Sequence, residues 1–231
     1  MTADADAPSD APDSGASSGP SDAPSLALPF DTEALEHSPI VTERLLIRPL
    51  IEADSDDVWE YQRLPEVLRY IPWPERSREE AHAHTMRRVG SRLLAEDGDN
   101  VHFAMVLTGE PSPGDAGRDR VVGDVMVRIA SVEHARLELG WVLHPDFQGR
   151  GLAAEATAAV LAFAFDTLQA HRVLAELVAE NTASAKLCLR LGMRHEATFV
   201  EEEYDRDTGA WLDMAFYGIL RREHVAARLA G

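Results

Sequence analysis

Beyond residue 40 the apolar positions fall into short runs whose period switches between two and about 3.6 residues, the signatures of strand and helix. Residues 42–50 (TERLLIRPL) set Leu45 and Ile47 against Leu46 and Arg48 and end at Pro49, which reads as a strand. Asp54, Ser55, Asp56 and Asp57 precede Val58 and Trp59 and start a helix that runs into Pro65. Residues 70–74 (YIPWP) make an aromatic, proline-stiffened loop. Ser77 and Glu80 match a capping box, so a second helix is expected from there to about residue 96. Strands follow over 102–108, 120–130 and 135–143. In the last, Leu137, Leu139, Trp141 and Leu143 face one way and Arg136, Glu138, Gly140 and Val142 the other. A glycine turn leads into an Ala-rich helix over 151–168, a strand over 173–178 and a short helix over 182–191 that stops at Gly192. Two strands, 196–204 and 211–220, close the chain.

Strands, helices and strands again give a mixed α/β (α+β) sheet with flanking helices and one parallel strand–helix–strand crossover over 135–178. One folded domain is expected over residues 40–231, long enough to bury a full core without staples. Residues 1–39 are mostly Ala, Asp, Pro and Ser, too few apolar groups to offset an ordering entropy of about 1–2 kcal/mol per residue. They are expected to form a disordered acidic tail.

Charge sharpens that division and excludes several classes. The chain carries 40 acidic against 22 basic side chains, net −18; residues 1–43 hold six Asp and three Glu with no Lys or Arg, so half of the net charge lies in or beside the tail. Acidity in both parts argues against a nucleic-acid binder, which needs a basic stripe for phosphate. No apolar run approaches the roughly 20 residues of a membrane span, and the basic start of a signal peptide is missing, so a cytoplasmic location is expected. The lone Cys188 excludes internal disulfides and cysteine-based metal clusters. The nine His lack ligand spacing, His82 and His84 pointing to different sides of one helix, and no metal is expected.

Residues 148–153 (QGRGLA) carry the first candidate chemistry. Small residues at 149, 151 and 153 let a ligand approach the backbone, and the free N–H groups of the following helix turn favour an anion. The cradle of a pyrophosphate and a turn that merely packs the helix both fit this spacing. Gly149, Gly151 and Ala154 also satisfy the G-x-G-x-x-A dinucleotide fingerprint. Five residues separate the strand from Gly149, however, and only one crossover unit is present, which disfavours a dehydrogenase.

Residues 138–156 (ELGWVLHPDFQGRGLAAEA), 180–184 (ENTAS) and 191–193 (LGM) together resemble the GNAT acetyltransferase superfamily. The opening TERLLIRPL and the closing Trp211-Leu-Asp213 with Tyr217 are similar to its branch of ribosomal-protein N-terminal serine/alanine acetyltransferases. The resemblance implies a mostly antiparallel sheet of about seven strands, acetyl-CoA held at the parallel crossover, and a homodimer. It implies that the N–H groups of Gly149, Arg150, Gly151, Leu152 and Ala153 hold the pyrophosphate while Gln148 shapes the turn and Arg150 and Lys186 meet the phosphates. The bland alternative for Lys186 is a solvated helix residue. A main-chain N–H near Val142 or Leu143 would polarise the thioester carbonyl.

Glu138 matches the family's strand glutamate and is expected to act as general base; the alternatives are solvation or an ion pair with Arg136 or Arg128. Many relatives place a tyrosine seven residues after the Asn as general acid, where this chain has Cys188. Ser184, three residues after Asn181, is the hydroxyl that this branch offers to the sulfur instead, and both residues also suit helix capping. Cys188 itself is expected to be buried as a small apolar residue.

An α-amine suits a single carboxylate base better than a lysine does. Neutralising the former at pH 7 costs about 1.1 kcal/mol and the latter about 4.6. Transfer from acetyl-CoA to a protein N-terminal α-amine is therefore the expected reaction, on a basic protein or small amine acceptor, with Tyr70, Trp73, Trp211 and Asp213 around the acceptor. The competing expectations are a small-molecule (antibiotic or polyamine) acetyltransferase and a non-catalytic acyl-CoA-binding regulatory domain.

Overall fold

The alternation along 42–50 survives in three dimensions: Leu45 and Ile47 are buried on one face of their strand while Leu46 and Arg48 turn to the other. The computed structural model describes residues 24–71, 73–206 and 208–230. In chain order the elements begin with β1 (Phe30–Asp31), α1 (Ala34–His37), β2 (Ile40–Val41), β3 (Leu45–Pro49), α2 (Ser55–Gln62) and α3 (Pro65–Leu68). Next come α4 (Arg78–Gly90), β4 (Leu93–Leu94), β5 (Asn100–Pro111), β6 (Asp119–Ser131) and β7 (Arg136–Leu143). The chain closes with α5 (Leu152–Asp166), β8 (Arg172–Val178), α6 (Thr182–Arg190), β9 (Arg194–Asp205), β10 (Ala210–Leu220) and α7 (Arg221–Ala230).

Eight strands form the main sheet in the order β2-β3-β5-β6-β7-β8-β10-β9, one more than expected because the two-residue β2 joins its edge. All neighbours are antiparallel except β7 and β8, which α5 connects. The helix α5 covers one face, where Leu152, Ala156, Val160 and Phe163 meet Ile47, Phe103, Val125, Leu137 and Val173. The helices α2 and α4 cover the other, where Val58 and Tyr61 pack on Ala104, Val106, Val121 and Val142. Both helices are tied to the sheet through Asp124 on β6: the Tyr61 hydroxyl donates to it at 2.6 Å and Arg88 forms a buried ion pair with it. Burial alone would raise the Asp124 carboxyl, but Arg88 and His102 hold it well below the usual range.

The expected capping box is present, with Glu80 N–H donating to Ser77 Oγ at 3.2 Å and Ser77 N–H to Glu80 Oε2 at 2.8 Å. The helix it starts ends at Gly90, short of the expected 96, because Leu93–Leu94 pair as β4 with β1. This pairing also corrects the domain boundary. Ala27 N–H donates to the Leu168 carbonyl at 2.9 Å, Leu26 is buried, and Phe30 meets Phe163 edge to face at 5.3 Å. Residues 24–39 therefore pack on the folded domain, held by a few apolar side chains set among polar neighbours; the rest of the tail expected over residues 1–39, residues 1–23, lies outside the described residues. No helix among the described residues is long and apolar enough to cross a membrane.

Each buried Leu or Phe contributes about 1.5–3 kcal/mol. Deleting residues 1–38 should therefore lower the thermal midpoint by at least about 5 °C relative to a chain starting at Pro24, read by calorimetry. Equal midpoints would show that this strap adds nothing to stability.

Candidate active site

Two strands that begin side by side and then part create the site. β7 pairs with β8 only at Arg136, Leu137 and Glu138, opposite Arg172, Val173 and Leu174, while it stays paired with β6 as far as Leu143. From Leu139 onward one edge of β7 is open. The direction of its N–H groups follows from strand alternation. His144 N–H donates to Val122 O at 2.8 Å across β6, so Val142, two residues earlier, is turned to β6 as well. The amides of Trp141 and Leu143 face the opening. Gln148 Nε2 donates to the Leu143 carbonyl on that side at 3.2 Å. Of the two amides expected to polarise a thioester, that of Leu143 faces the opening; that of Val142 is turned to β6, though Val142 still lines the cavity.

A cavity of about 400 Å³ opens at this point. Val142, Leu143, Gln148, Gly149, Gly151, Leu152 and Ala153 line one side, Asn181, Ser184 and Lys186 another, and Tyr70 with Ile71 the roof. Gly149 and Gly151 have φ of +71° and +82°, the left-handed region that disfavours a side chain. The helix α5 starts at Gly151 without a side-chain cap, and the Gly151 carbonyl accepts from Glu155 N–H at 3.0 Å. The N–H groups of Leu152, Ala153 and Ala154 thus remain for an anion, with the positive end of the helix behind them.

A carboxylate in that first turn would oppose an anion, but Glu155 is neutralised locally. Its Oε1 accepts from Thr42 Oγ1 at 2.6 Å and Arg44 N–H at 2.8 Å, and its Oε2 from Arg44 Nε at 2.8 Å. Burial pushes the Glu155 carboxyl up, but these bonds hold it below the usual carboxylate range. Arg44 Nη1 also donates to the Arg150 carbonyl at 2.9 Å, fastening the glycine turn to β3. Sequence reasoning missed this clamp, although its residues stood in the TERLLIRPL and GLAAEA strings. It also missed Arg190, which lines the cavity one helical turn beyond Lys186.

On α6, Asn181 Oδ1 accepts from Ser184 N–H at 3.1 Å, and Ser184 Oγ accepts from Trp141 Nε1 at 3.2 Å, which leaves the hydroxyl proton free to donate into the cavity. Cys188 is fully buried, and burial pushes its thiol up to about 12. Among the described residues no group of three His, Cys, Asp or Glu side chains could hold a metal.

Other expected residues lie elsewhere. Arg150 turns away over the Phe147 ring at 5.3 Å instead of lining the cavity. Trp73 packs edge to face on His84 at 5.5 Å, with Arg76 and Arg88 over its ring. Trp211, 57% exposed, leans on Tyr204 in the β9–β10 hairpin. Asp213 Oδ1 accepts from Glu201 N–H at 2.8 Å and pins a bulge where Glu201 takes φ +53°. Packing and turn geometry account for these four. Glu138 is on the expected face, where its Oε2 accepts from Arg128 Nε at 3.0 Å and also from Nη2. The ion pair with Arg128 weighed for it is thus present.

Parting strands, an uncapped helix start and a glycine turn thus meet around one cavity, with unpaired backbone N–H groups suited to an anion and an open strand edge beside them. The chain belongs to the GNAT acetyltransferases: the family described as "Acetyltransferase (GNAT) domain" matches residues 44–194. The uncharacterized N-acetyltransferase YnaD of Bacillus subtilis (strain 168) is 31% identical over 185 residues, covering 80% of this chain and 98% of that protein. A GNAT-family acetyltransferase from Bacillus anthracis superposes with TM-score 0.67 at 30% identity, over 79% of this chain and 98% of the other. The spermidine N-acetyltransferase of Vibrio cholerae, solved with CoA and spermine, shares the fold with TM-score 0.63 at 19% identity, over 80% of this chain and 99% of that one. The protein is an acetyl-CoA-dependent N-acetyltransferase.

Two outcomes follow from the geometry. Replacing Glu155 by Gln should weaken CoA binding about tenfold in calorimetry by loosening a charge-assisted clamp, with kcat nearly unchanged; unchanged affinity would make the clamp irrelevant to the turn. Because the Cys188 thiol stays protonated far above neutral pH, Ellman's reagent should label it at pH 8 only after denaturation. Rapid labelling of the folded enzyme would contradict its burial.

Proposed function

We propose that the acceptor is an α-amine, most simply the N-terminus of a protein, and that acetyl passes to it directly from the thioester. The pyrophosphate rests on the N–H groups from Gly149 to Ala153, with Lys186 and Arg190 at the rim, and the pantetheine arm follows the open edge of β7. The amides of Trp141 and Leu143 stabilise the negative charge that grows on the thioester oxygen. Ser184 donates its hydroxyl hydrogen to the departing sulfur.

The observation that carries the α-amine reading is the character of the face beside the opening. It bears Glu138 on β7, Glu176 on β8 and, close enough to act on Glu176, Glu202 and Glu203 from β9. Glu138, Glu203 and Glu202 all act on Glu176, and Arg128 opposes them. Such a face draws in an ammonium and provides a base, and a single carboxylate deprotonates an α-amine far more readily than a lysine. The resemblance to the N-terminal serine/alanine acetyltransferase branch points the same way.

The same acidity favours one other reading, a polyamine acceptor, since the structurally similar Vibrio cholerae enzyme is named for spermidine. Thiol release from acetyl-CoA, followed across peptides with free N-termini, N-blocked lysine peptides, spermidine and aminoglycosides, separates the readings. Turnover confined to free N-terminal peptides is expected. Preference for spermidine would replace the α-amine reading, and CoA binding without turnover on any amine would leave a regulatory acyl-CoA-binding domain.

A further inference from the structure

Resting on the reading that this face receives an amine, we infer that Glu176 is the proton acceptor of the transfer and that Glu138, held by Arg128, is the group that tunes it. Three observations converge. The first is position. Glu138 pairs with Leu174, the last residue of β8 in register with β7, and Glu176 lies two residues further on the same face. Had the ladder continued, Glu176 would face Gly140, next to Trp141, whose amide points into the opening. Glu176 therefore stands where β8 leaves β7, on the acceptor side of the place where the thioester carbonyl would be held.

The second is availability. Glu138 is engaged through Oε2 by two nitrogens of Arg128. The Glu176 side chain is partly buried and takes part in no hydrogen bond or ion pair among the described residues, with Phe216 of β10 opposite it on the other side. A carboxylate that gives up no existing bond is the better candidate to receive a proton.

The third is its surroundings. The charged groups that act on it are Glu138 from β7, Glu203 and Glu202 from β9, and Arg128 from β6. Burial raises the Glu176 carboxyl above its usual range, the three glutamates add to this, and Arg128 opposes it. A base tuned upward is closer to the operating pH and more effective.

The step balances as follows. The Glu176 carboxylate takes one proton from the incoming ammonium. The freed amine attacks the carbonyl carbon, the C–N bond forms and the C–S bond breaks. The second nitrogen proton leaves with the thiolate, past the Ser184 hydroxyl, to give CoA-SH, and Glu176 returns its proton to water.

The test is the pH dependence of thiol release by wild type, Glu176→Gln and Glu138→Gln with the best amine of the panel. Glu176→Gln should lower kcat by about 10²–10⁴-fold while the KM for acetyl-CoA stays within about twofold. The acidic limb of the wild-type kcat profile should lie above the ordinary carboxylate range, since activity is lost as pH falls through a raised pKa. Glu138→Gln removes a negative neighbour, so the limb should move to lower pH, with a smaller loss of kcat than in Glu176→Gln. Equal kcat for wild type and Glu176→Gln, or the larger loss in Glu138→Gln, overturns the inference alone. A wild-type chain that releases thiol with no amine overturns the acceptor reading, and the inference falls with it.

Discussion

Everything functional in this molecule depends on two strands being committed to different neighbours. β8 is paired with β10 along its whole length, from Arg172 to Val178, and Ala179 N–H extends that attachment to the Asp213 carbonyl at 2.8 Å. β7 is paired with β6 to its end and then leaves the sheet through Pro145, Phe147 and the glycine turn. The crossover through α5 brings the chain back beside β7 for only three residue pairs. Beyond them neither strand can close the gap without giving up hydrogen bonds on its other side. An open, hydrogen-bonding edge in the middle of a sheet would normally be a liability, and here it is the place where an extended acyl-thioester arm can lie.

In the proposed binding mode the anion at the end of that arm would be met by backbone rather than by a field of basic side chains. This resolves the contrast between a net charge of −18 and a polyanionic co-substrate. Glu155, in the first turn of the phosphate-facing helix, would be the worst-placed charge in the chain. Arg44 and Thr42 neutralise it and, through the Arg150 carbonyl, hold the turn at the same time. Lys186 and Arg190 then supply the positive groups at the rim. With the cofactor side locally balanced, the remaining acidity can serve the other face, where Glu138, Glu176, Glu202 and Glu203 favour a cationic amine.

What could be read from the sequence was what a short stretch of chain decides by itself. The Ser77–Glu80 box, the Asn181 cap over Ser184 and the burial of Cys188 each need only a few consecutive residues, and each is present in the structure. The unforeseen features join distant segments. Arg44 and Glu155 are 111 positions apart in the chain. Leu26 and Phe30 look like stray apolar residues in a polar stretch until α5 and β4 are beside them. Trp211 and Asp213 were legible as residue types, but their strand carries them onto a bulged hairpin whose local geometry uses them. Glu138 shows the limit most plainly. Its face was correct from alternation, while the choice between free base and ion pair depended on Arg128 directly across the strand, and on Glu176 two residues past the last rung of the neighbouring one.

The cysteine at the position where many relatives carry a tyrosine need not disable the chemistry. A thiol leaves with a pKa near ~8.5, so releasing it unprotonated at pH 7 costs only about 2 kcal/mol. A hydrogen bond to a charged acceptor is worth about 1.5–3 kcal/mol, enough to offset that cost until the second amine proton reaches the sulfur, without a strong general acid. Ser184 is suited to give one: Trp141 donates to its oxygen, which fixes the hydroxyl and leaves its hydrogen for the sulfur. Burial meanwhile keeps the Cys188 thiol protonated and inert, so the substitution introduces no competing nucleophile beside the thioester. The demanding step is then deprotonation of the amine, and the structure places its unengaged carboxylate on that side of the opening.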